Sequence, residues 1–420
     1  MKILIISYLF APNNEIGAIR PTKLSDFLSQ HGNIVDVISY GYKGADSLEI
    51  PVNIRQHYMF NSTPIDSETK KSKNVISGKG NNVFIQSAKE HYRTLLELKR
   101  TKPFVNFCLN LYRNNLQKEN YDLVFSSFGP IASLLCGLKI KKLNSDIKWI
   151  CDFRDPILTD GTPLFFKPYF AALQNDACKM ADRIVAVSNG YLKRICRGKY
   201  SNKSYVITNG YDRRDLPLIP KDLKNNVIEF TYAGTLYEGK RKIMPLFRAL
   251  RELIDEKMID CRKIHFNYAG NDFPFLLMQA KKYGLESILV NHGRLSREDC
   301  LSLQAKSDFL VLSTWNNKGE EGVFPGKFLE YMLFNKPIIA LVDGNIANSE
   351  VATVMREGNL GAVYEEKNSK SDFEEMKKYF SDTFSEFYTT GQIKFVPSED
   401  VLNRYDYGNI ATKIEDLIYG

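Results

Sequence analysis

Residues 320–340, EEGVFPGKFLEYMLFNKPIIA, join a proline–glycine turn to a helix-forming run and then to a short apolar strand. Within Phe324-Pro325-Gly326-Lys327 the glycine lets backbone approach a ligand closely, and the helix after it opens with N–H groups that have no intrahelical acceptor. Such a helix start attracts anions, phosphate groups above all. Glu330 lies one helical turn beyond Gly326 and Lys327, within reach of a polar group attached to a phosphate held there. Taken alone, the stretch is equally an ordinary turn, helix and strand of an α/β domain, with a solvated lysine and glutamate.

Upstream of this stretch, strands and helices alternate from residue 228 onward, which predicts a doubly wound parallel sheet. The first loop of that series, GTLYEGKR at 234–241, is punctuated by Gly234 and ends in two cations, and it belongs to the same sheet edge as 320–327. Lys240 or Arg241 on one side and the Gly326 helix start on the other are placed to clamp one diphosphate. Residues 213–225, rich in charge and containing Pro217 and Pro220, read as a linker. Before the linker lies a second βα series, opened by the apolar run 2–7, a turn-rich loop, and a helix from about residue 18 to 30. That first loop belongs to the carboxyl edge of its sheet, where open α/β sheets bind ligands. Gly17 there either admits a ligand or only shapes the turn, and Arg20 either meets an anion or is solvated. Asp152-Phe153-Arg154-Asp155 follows another strand at the same edge. Two carboxylates around one guanidinium can orient or activate an acceptor, or form a structural ion pair.

A chain of 420 residues suits two α/β domains around a cleft. Its 7 cysteines are scattered singly, without metal-ligand spacing, which argues for a reducing compartment and against structural zinc. No run is long enough to span a bilayer, and the start reads as a buried strand. The net charge of +8 permits attraction to anionic partners without choosing among them. Residues 61–82 read as a polar loop. After it, two helices, 83–102 and 104–117, are expected to either side of Pro103, basic and interleaved with aromatic residues. Such a face can lie on an anionic membrane, although an apolar stripe of this kind more often packs into a core.

Taken together, ISYLFAPNNEIGAIR at 6–20, DFRDP at 152–156, ADRIVAVSNGY at 181–191, VITNGYD at 206–212, YAGTLYEGKR at 232–241 and FPGKFLEYMLFNKPIIA at 324–340 resemble the family 4 retaining glycosyltransferases, particularly bacterial polysaccharide and lipopolysaccharide enzymes. The resemblance implies the GT-B fold, two Rossmann-like doubly wound lobes facing a central cleft. It divides the chain into an acceptor-side lobe at 1–212, the linker at 213–225, a nucleotide-sugar lobe at 226–399, and a C-terminal segment at 400–420 that returns to the first lobe. It implies transfer from a nucleoside-diphosphate sugar to a glycan or lipid-linked glycan, with retention, no metal and no other cofactor, in the cytoplasm or peripherally on the inner face of the plasma membrane. Contact with that membrane would run through residues 89–118, and no nucleic-acid partner is expected.

On this model Lys240 and Arg241 neutralise the leaving diphosphate, helped by backbone around Gly326 and Lys327. Gly234, Phe324 and Pro325 complete the donor loops, Glu330 accepts from the ribose hydroxyls, and Gly17 approaches the donor phosphate from the other lobe. Arg20, Asp152 and Arg154 fall on the acceptor side, with Asp155 as an active-site carboxylate. Many relatives pair two glutamates with seven residues between them, but here Gly322 stands eight before Glu330 and Glu321 is its neighbour. Glu321 is therefore the candidate for contact with the transferred sugar. Two other readings share the fold: a nucleotide-sugar epimerase, which would need acid/base residues to move a ring proton, and a catalytically silent scaffold.

Overall fold

The computed structural model describes all residues except 14, 42–47, 61–82, 160–161, 218–226 and 420, and omits the side chains of 83–89 and 419. It resolves two units, Met1–Thr208 with Ile410–Gly420, and Asn209–Asn409. The polar loop expected at 61–82 and most of the expected linker lie outside the described residues. Within 400–420, the residues before Ile410 stay with the second unit, where Tyr405 stacks on Phe324 and accepts the Tyr211 N–H while the Tyr407 N–H donates to the Tyr211 carbonyl.

Seven parallel strands build the first unit: β1 (Lys2–Ile6), β2 (Ile34–Tyr40), β3 (Ile54–Met59), β4 (Leu123–Phe128), β5 (Lys148–Phe153), β6 (Arg183–Ala186) and β7 (Ser204–Val206). Their order, β3-β2-β1-β4-β5-β6-β7, reverses between β1 and β4. Ile3, Leu4, Ile5 and Ile6 are wholly buried, as a strand covered on both faces requires. Helices α1 (Ile16–Gln30), α2 (Val83–Leu111), α3 (Ile131–Leu143), α4 (Lys167–Met180) and α5 (Asn189–Cys196) accompany the sheet. Helix α2 corrects the expectation of two helices broken at Pro103, for it runs straight through that proline and ends in a wider turn at Tyr112–Leu116. Core packing outweighs the lost backbone bond, since Phe104, Val105, Cys108, Leu109 and Tyr112, just beyond the proline, are all buried.

The second unit repeats the plan with six parallel strands: β8 (Ile228–Ala233), β9 (Ile264–Ala269), β10 (Leu289–Gly293), β11 (Phe309–Trp315), β12 (Ile338–Asp343) and β13 (Gly361–Glu365). The order β10-β9-β8-β11-β12-β13 places its reversal between β8 and β11. Loops leaving the carboxyl ends of those two strands are the ones that open onto a ligand in sheets of this type. They are the GTLYEGKR loop and the stretch that leads into EEGVFPGK. Helices α6 (Met244–Asp255), α7 (Phe273–Lys281), α8 (Arg297–Lys306), α9 (Gly326–Leu333), α10 (Glu350–Glu357), α11 (Ser369–Thr390) and α12 (Glu399–Asn403) belong to this unit; α13 (Tyr407–Tyr419) begins in it and continues into the first.

One buried ion pair ties the first unit together. Arg20, 1% exposed, donates from Nε and Nη2 to both oxygens of the fully buried Asp152 (3.1 and 2.8 Å), and also to the carbonyls of Ile207 and Thr208. Ser127 Oγ adds a third donor to the carboxylate at 2.8 Å. Helix α1, strands β4 and β5, and the segment after β7 therefore meet at a single charge. Replacing Arg20 by Ala should destabilise the protein by about 3–5 kcal/mol, read as a lower urea midpoint, because a buried carboxylate loses its counter-charge. Arg20→Met combined with Asp152→Leu should restore part of that loss.

Candidate functional site

In the second unit the residues after β8 and the start of α9 converge. Gly234 has φ +133°, a conformation that L side chains rarely adopt, and a Cβ built there would overlap Lys327 Nζ. The glycine thus leaves the hollow that the lysine occupies. Lys327 Nζ lies 5.4 Å from the centroid of the Tyr232 ring, and Arg241 Nη1 is 3.4 Å from the hydroxyl of the same tyrosine. The Lys327 amine is lowered to about 8, by burial first and then by the charge of Arg241, with Glu330 opposing both.

Arg241 is held flat by aromatic faces, 4.7 Å from the Tyr237 ring and 5.6 Å from the Trp315 ring, while Nη1 donates to the Thr235 carbonyl at 3.2 Å. Among the described residues its buried Nε has no hydrogen-bond partner. Among the described residues neither Lys327 nor Arg241 forms an ion pair. The contrast with Lys242, one residue further on, is informative. Lys242 Nζ reaches Glu366 at 2.8 Å and Asp343 at 3.5 Å and is neutralised by them, while burial pushes the Asp343 carboxyl up to about 6 against the pull of Lys242. Two neighbouring cations without carboxylates, beside a helix start, form a site suited to an anion carrying more than one charge.

Glu330, on α9, is 3.3 Å from Arg297 Nη1 on α8. That arginine was not legible as part of the site, because it sits in an ordinary-looking helical first turn. Tyr232 was missed as well, being read only as strand core. Pro325 is the residue that caps α9 and Gly326 is its first member.

Three expected members fall outside the convergence. Lys240 is exposed, and its backbone rather than its side chain makes the turn contact, to Tyr237. Glu321 accepts the Gly319 N–H at 2.9 Å and so braces its own turn. Phe324 packs into the core, stacked on Tyr405 at 5.7 Å and edge-on to Phe328 at 5.3 Å.

The acceptor-side residues of the first unit also change character. Arg20 and Asp152 are consumed by the buried pair described above. Arg154 donates to the carbonyls of Phe128 and Gly129, both at 2.7 Å, and to that of Gly17. It thereby laces the loops after β1 and β4 to the end of β5. A Cβ on Gly17 would press on Leu9 and on the Arg154 guanidinium, so this glycine serves close packing of the loop. Asp155 remains open: it reaches solvent, and burial raises its carboxyl while Arg154 opposes the rise. Glu97 on α2, absent from the sequence reading, accepts the Ile131 N–H at the start of α3, and burial raises its carboxyl too.

With this geometry in view, the sequence matches the family model Glycosyltransferase Family 4 over residues 22–215. That match takes in most of the first unit and under half of the chain. Solved structures align along the entire chain. The lipopolysaccharide outer core galactosyltransferase WaaB is 16% identical, with a TM-score of 0.55 over 100% of this chain and 99% of that one. A glycosyltransferase from Rickettsia africae ESF-5 is 18% identical, with a TM-score of 0.56 over 99% and 97%. A putative UDP-N-acetylglucosamine 2-epimerase from Listeria monocytogenes is 13% identical, with a TM-score of 0.52 over 99% and 95%. No curated protein matched by sequence. At these identities the likeness establishes the GT-B fold for the two units and nothing beyond it.

The Lys327 amine gives the site a pH signature. As pH rises through about 8 the amine loses its proton, so affinity for whichever nucleoside diphosphate binds in a screen should fall across that pH and be higher below it. Calorimetry on Lys327→Met should show weaker binding with the step removed. Gly234→Ala should weaken the same binding at pH 7 by displacing the amine, and the strained backbone should cost about 1–3 kcal/mol of stability in a thermal melt.

Proposed function

We propose that this protein transfers a glycosyl group, with retention of anomeric configuration, from a nucleoside-diphosphate sugar to a glycan or lipid-linked glycan in bacterial surface-polysaccharide synthesis. The observation that carries the proposal is the pairing of Lys327 and Arg241 at the switch-point edge of the second sheet, without carboxylate partners and beside the start of α9. During transfer the bond from the sugar C1 to the diphosphate oxygen breaks and its electron pair stays on the diphosphate. A bond forms from C1 to the acceptor oxygen, and the proton of the acceptor hydroxyl passes to the released diphosphate. Negative charge thus grows on the leaving group, where two preorganised cations lower the barrier most effectively. No resident metal is required in this scheme, because Lys327 and Arg241 supply the positive charge that the leaving diphosphate needs.

Glu330, one turn into α9, is assigned to the ribose hydroxyls, with Arg297 holding its orientation until the nucleotide binds. Asp155, whose carboxyl is raised by burial, is assigned to the acceptor side of the first unit. Lys240 and Glu321 are left outside the clamp, the first exposed and the second tied to its own turn. Peripheral attachment to a membrane through the basic helix α2 belongs to the same proposal; no described helix is long and apolar enough to cross a bilayer.

The test is a panel of nucleotide sugars incubated with and without glycan acceptors. Transfer predicts free nucleoside diphosphate whose release depends on acceptor, and a glycosylated product of unchanged anomeric configuration. Arg241→Ala should lower kcat by a factor of about a hundred or more, as expected for loss of a charge that acts on the transition state. An isomerised donor formed without acceptor would instead establish an epimerase, and nucleotide binding without turnover of any donor would establish a scaffold.

A further inference from the structure

The first unit carries a second feature that donor chemistry does not use. The turn Leu164–Phe166 leads into α4 with Leu164 79% and Phe165 78% exposed, while the next residue, Phe166, is buried. Phe166 anchors the turn against Phe170 and against His91 of α2, with ring centroids 6.2 and 6.0 Å away. Two large apolar side chains are therefore held outward on a fixed base. Folding gains nothing from leaving them in water.

What surrounds them identifies the partner. Tyr169 and, on α2, Tyr92 are also exposed, and tyrosine is a residue favoured where apolar and wet regions meet. Lys167 follows the turn directly, and no Asp or Glu occurs from 162 to 175. On α2 the exposed cations Arg93, Lys99 and Lys102 extend the positive charge. Residues 83–118 hold 7 Lys and Arg against 2 Glu. Beyond Pro103 the apolar residues of α2 are core and cannot take part, which moves the contact from the expected 89–118 to the first half of the helix and the neighbouring turn. Apolar side chains with a tyrosine and a lysine on their own segment, and a tyrosine and cations on the helix that His91 joins to it, complement a negatively charged bilayer.

We propose that Leu164 and Phe165, flanked by Tyr92, Tyr169, Arg93 and Lys167, insert into the headgroup–acyl boundary of an anionic lipid bilayer and dock the first unit there. The inference deepens the proposed function by supplying the lipid surface on which a lipid-linked acceptor would be met. Helix α2 joins the two, since Glu97, one turn past Arg93, touches the first N–H of α3 at the carboxyl edge of the sheet.

Flotation of the full chain with vesicles of phosphatidylglycerol and phosphatidylcholine, against phosphatidylcholine alone, tests this. The parent should float with the anionic vesicles only. L164E/F165E should float about tenfold less, and R93E/K167E should lose the preference for anionic lipid. Both should keep the parent's affinity for a nucleoside diphosphate in calorimetry, which shows that they are folded. A parent that stays with the soluble fraction, or an L164E/F165E protein that floats as the parent does, overturns the docking surface. So does light scattering that finds a parent dimer and an L164E/F165E monomer, which would make the surface a contact between two copies of the chain. Intact diphosphate binding with no flotation overturns docking alone, whereas flotation with no diphosphate binding overturns the donor site alone.

Discussion

Lys327 and Arg241 repel one another, and the second unit is built so that they cannot separate. Gly234 supplies the hollow for the lysine, Tyr232 stands beside both cations, and Tyr237 and Trp315 keep the guanidinium flat. Burial already works against the lysine's charge, which is why its amine titrates near 8 rather than in the usual lysine range. A doubly charged anion between them would relieve the repulsion and the desolvation at once. Binding would offset both costs, and in the proposed transfer the gain would grow as the leaving group takes up charge.

The same logic separates functional cations from structural ones throughout the chain. Arg20, Arg154 and Lys242 all lie near carboxyl ends of strands, and from sequence each has as good a claim on a ligand as Arg241. Arg20 spends its donors on Asp152 and two carbonyls, Arg154 on three carbonyls, and Lys242 on two carboxylates. A guanidinium saturated by the fold has little left to offer a phosphate. Among the described residues Lys327 and Arg241 form no ion pair, and Arg241, though it gives one donor to the Thr235 carbonyl, keeps a buried Nε without an acceptor.

Sequence patterns revealed the two-lobed α/β plan because buried parallel strands leave continuous apolar runs, as in 2–7, and because turn chemistry brackets them. Strand β3 escaped notice, for Ile54–Met59 reads IRQHYM and is only half-buried at a sheet edge. Pro103 misled in the opposite direction: local propensity favoured a break, and the core around Phe104 and Cys108 overrode it. At the candidate site the loops were legible from Gly234 and Gly326. The choice of Arg241 over Lys240 was not, since neighbours in sequence point to different surroundings and only packing decides which is turned inward. Arg297 lies 33 residues from Glu330, and no local signal connects them.

The Leu164–Phe165 turn extends the argument from charge to apolar surface. Exposed hydrophobic residues scattered singly need no explanation, but two adjacent ones on a turn anchored by a buried phenylalanine are placed rather than left over. Their neighbours supply the sign of the partner: Lys167, with no acid along 162–175, and Arg93 on α2. Lys327 and Arg241 are the electrostatic counterpart: charges that folding holds without a counter-charge. In both places the chain accepts a local cost that its own core does not offset, and the physical character of that cost, uncompensated positive charge in one unit and unburied apolar surface beside cations in the other, is what suits the two proposed partners, a diphosphate and an anionic bilayer.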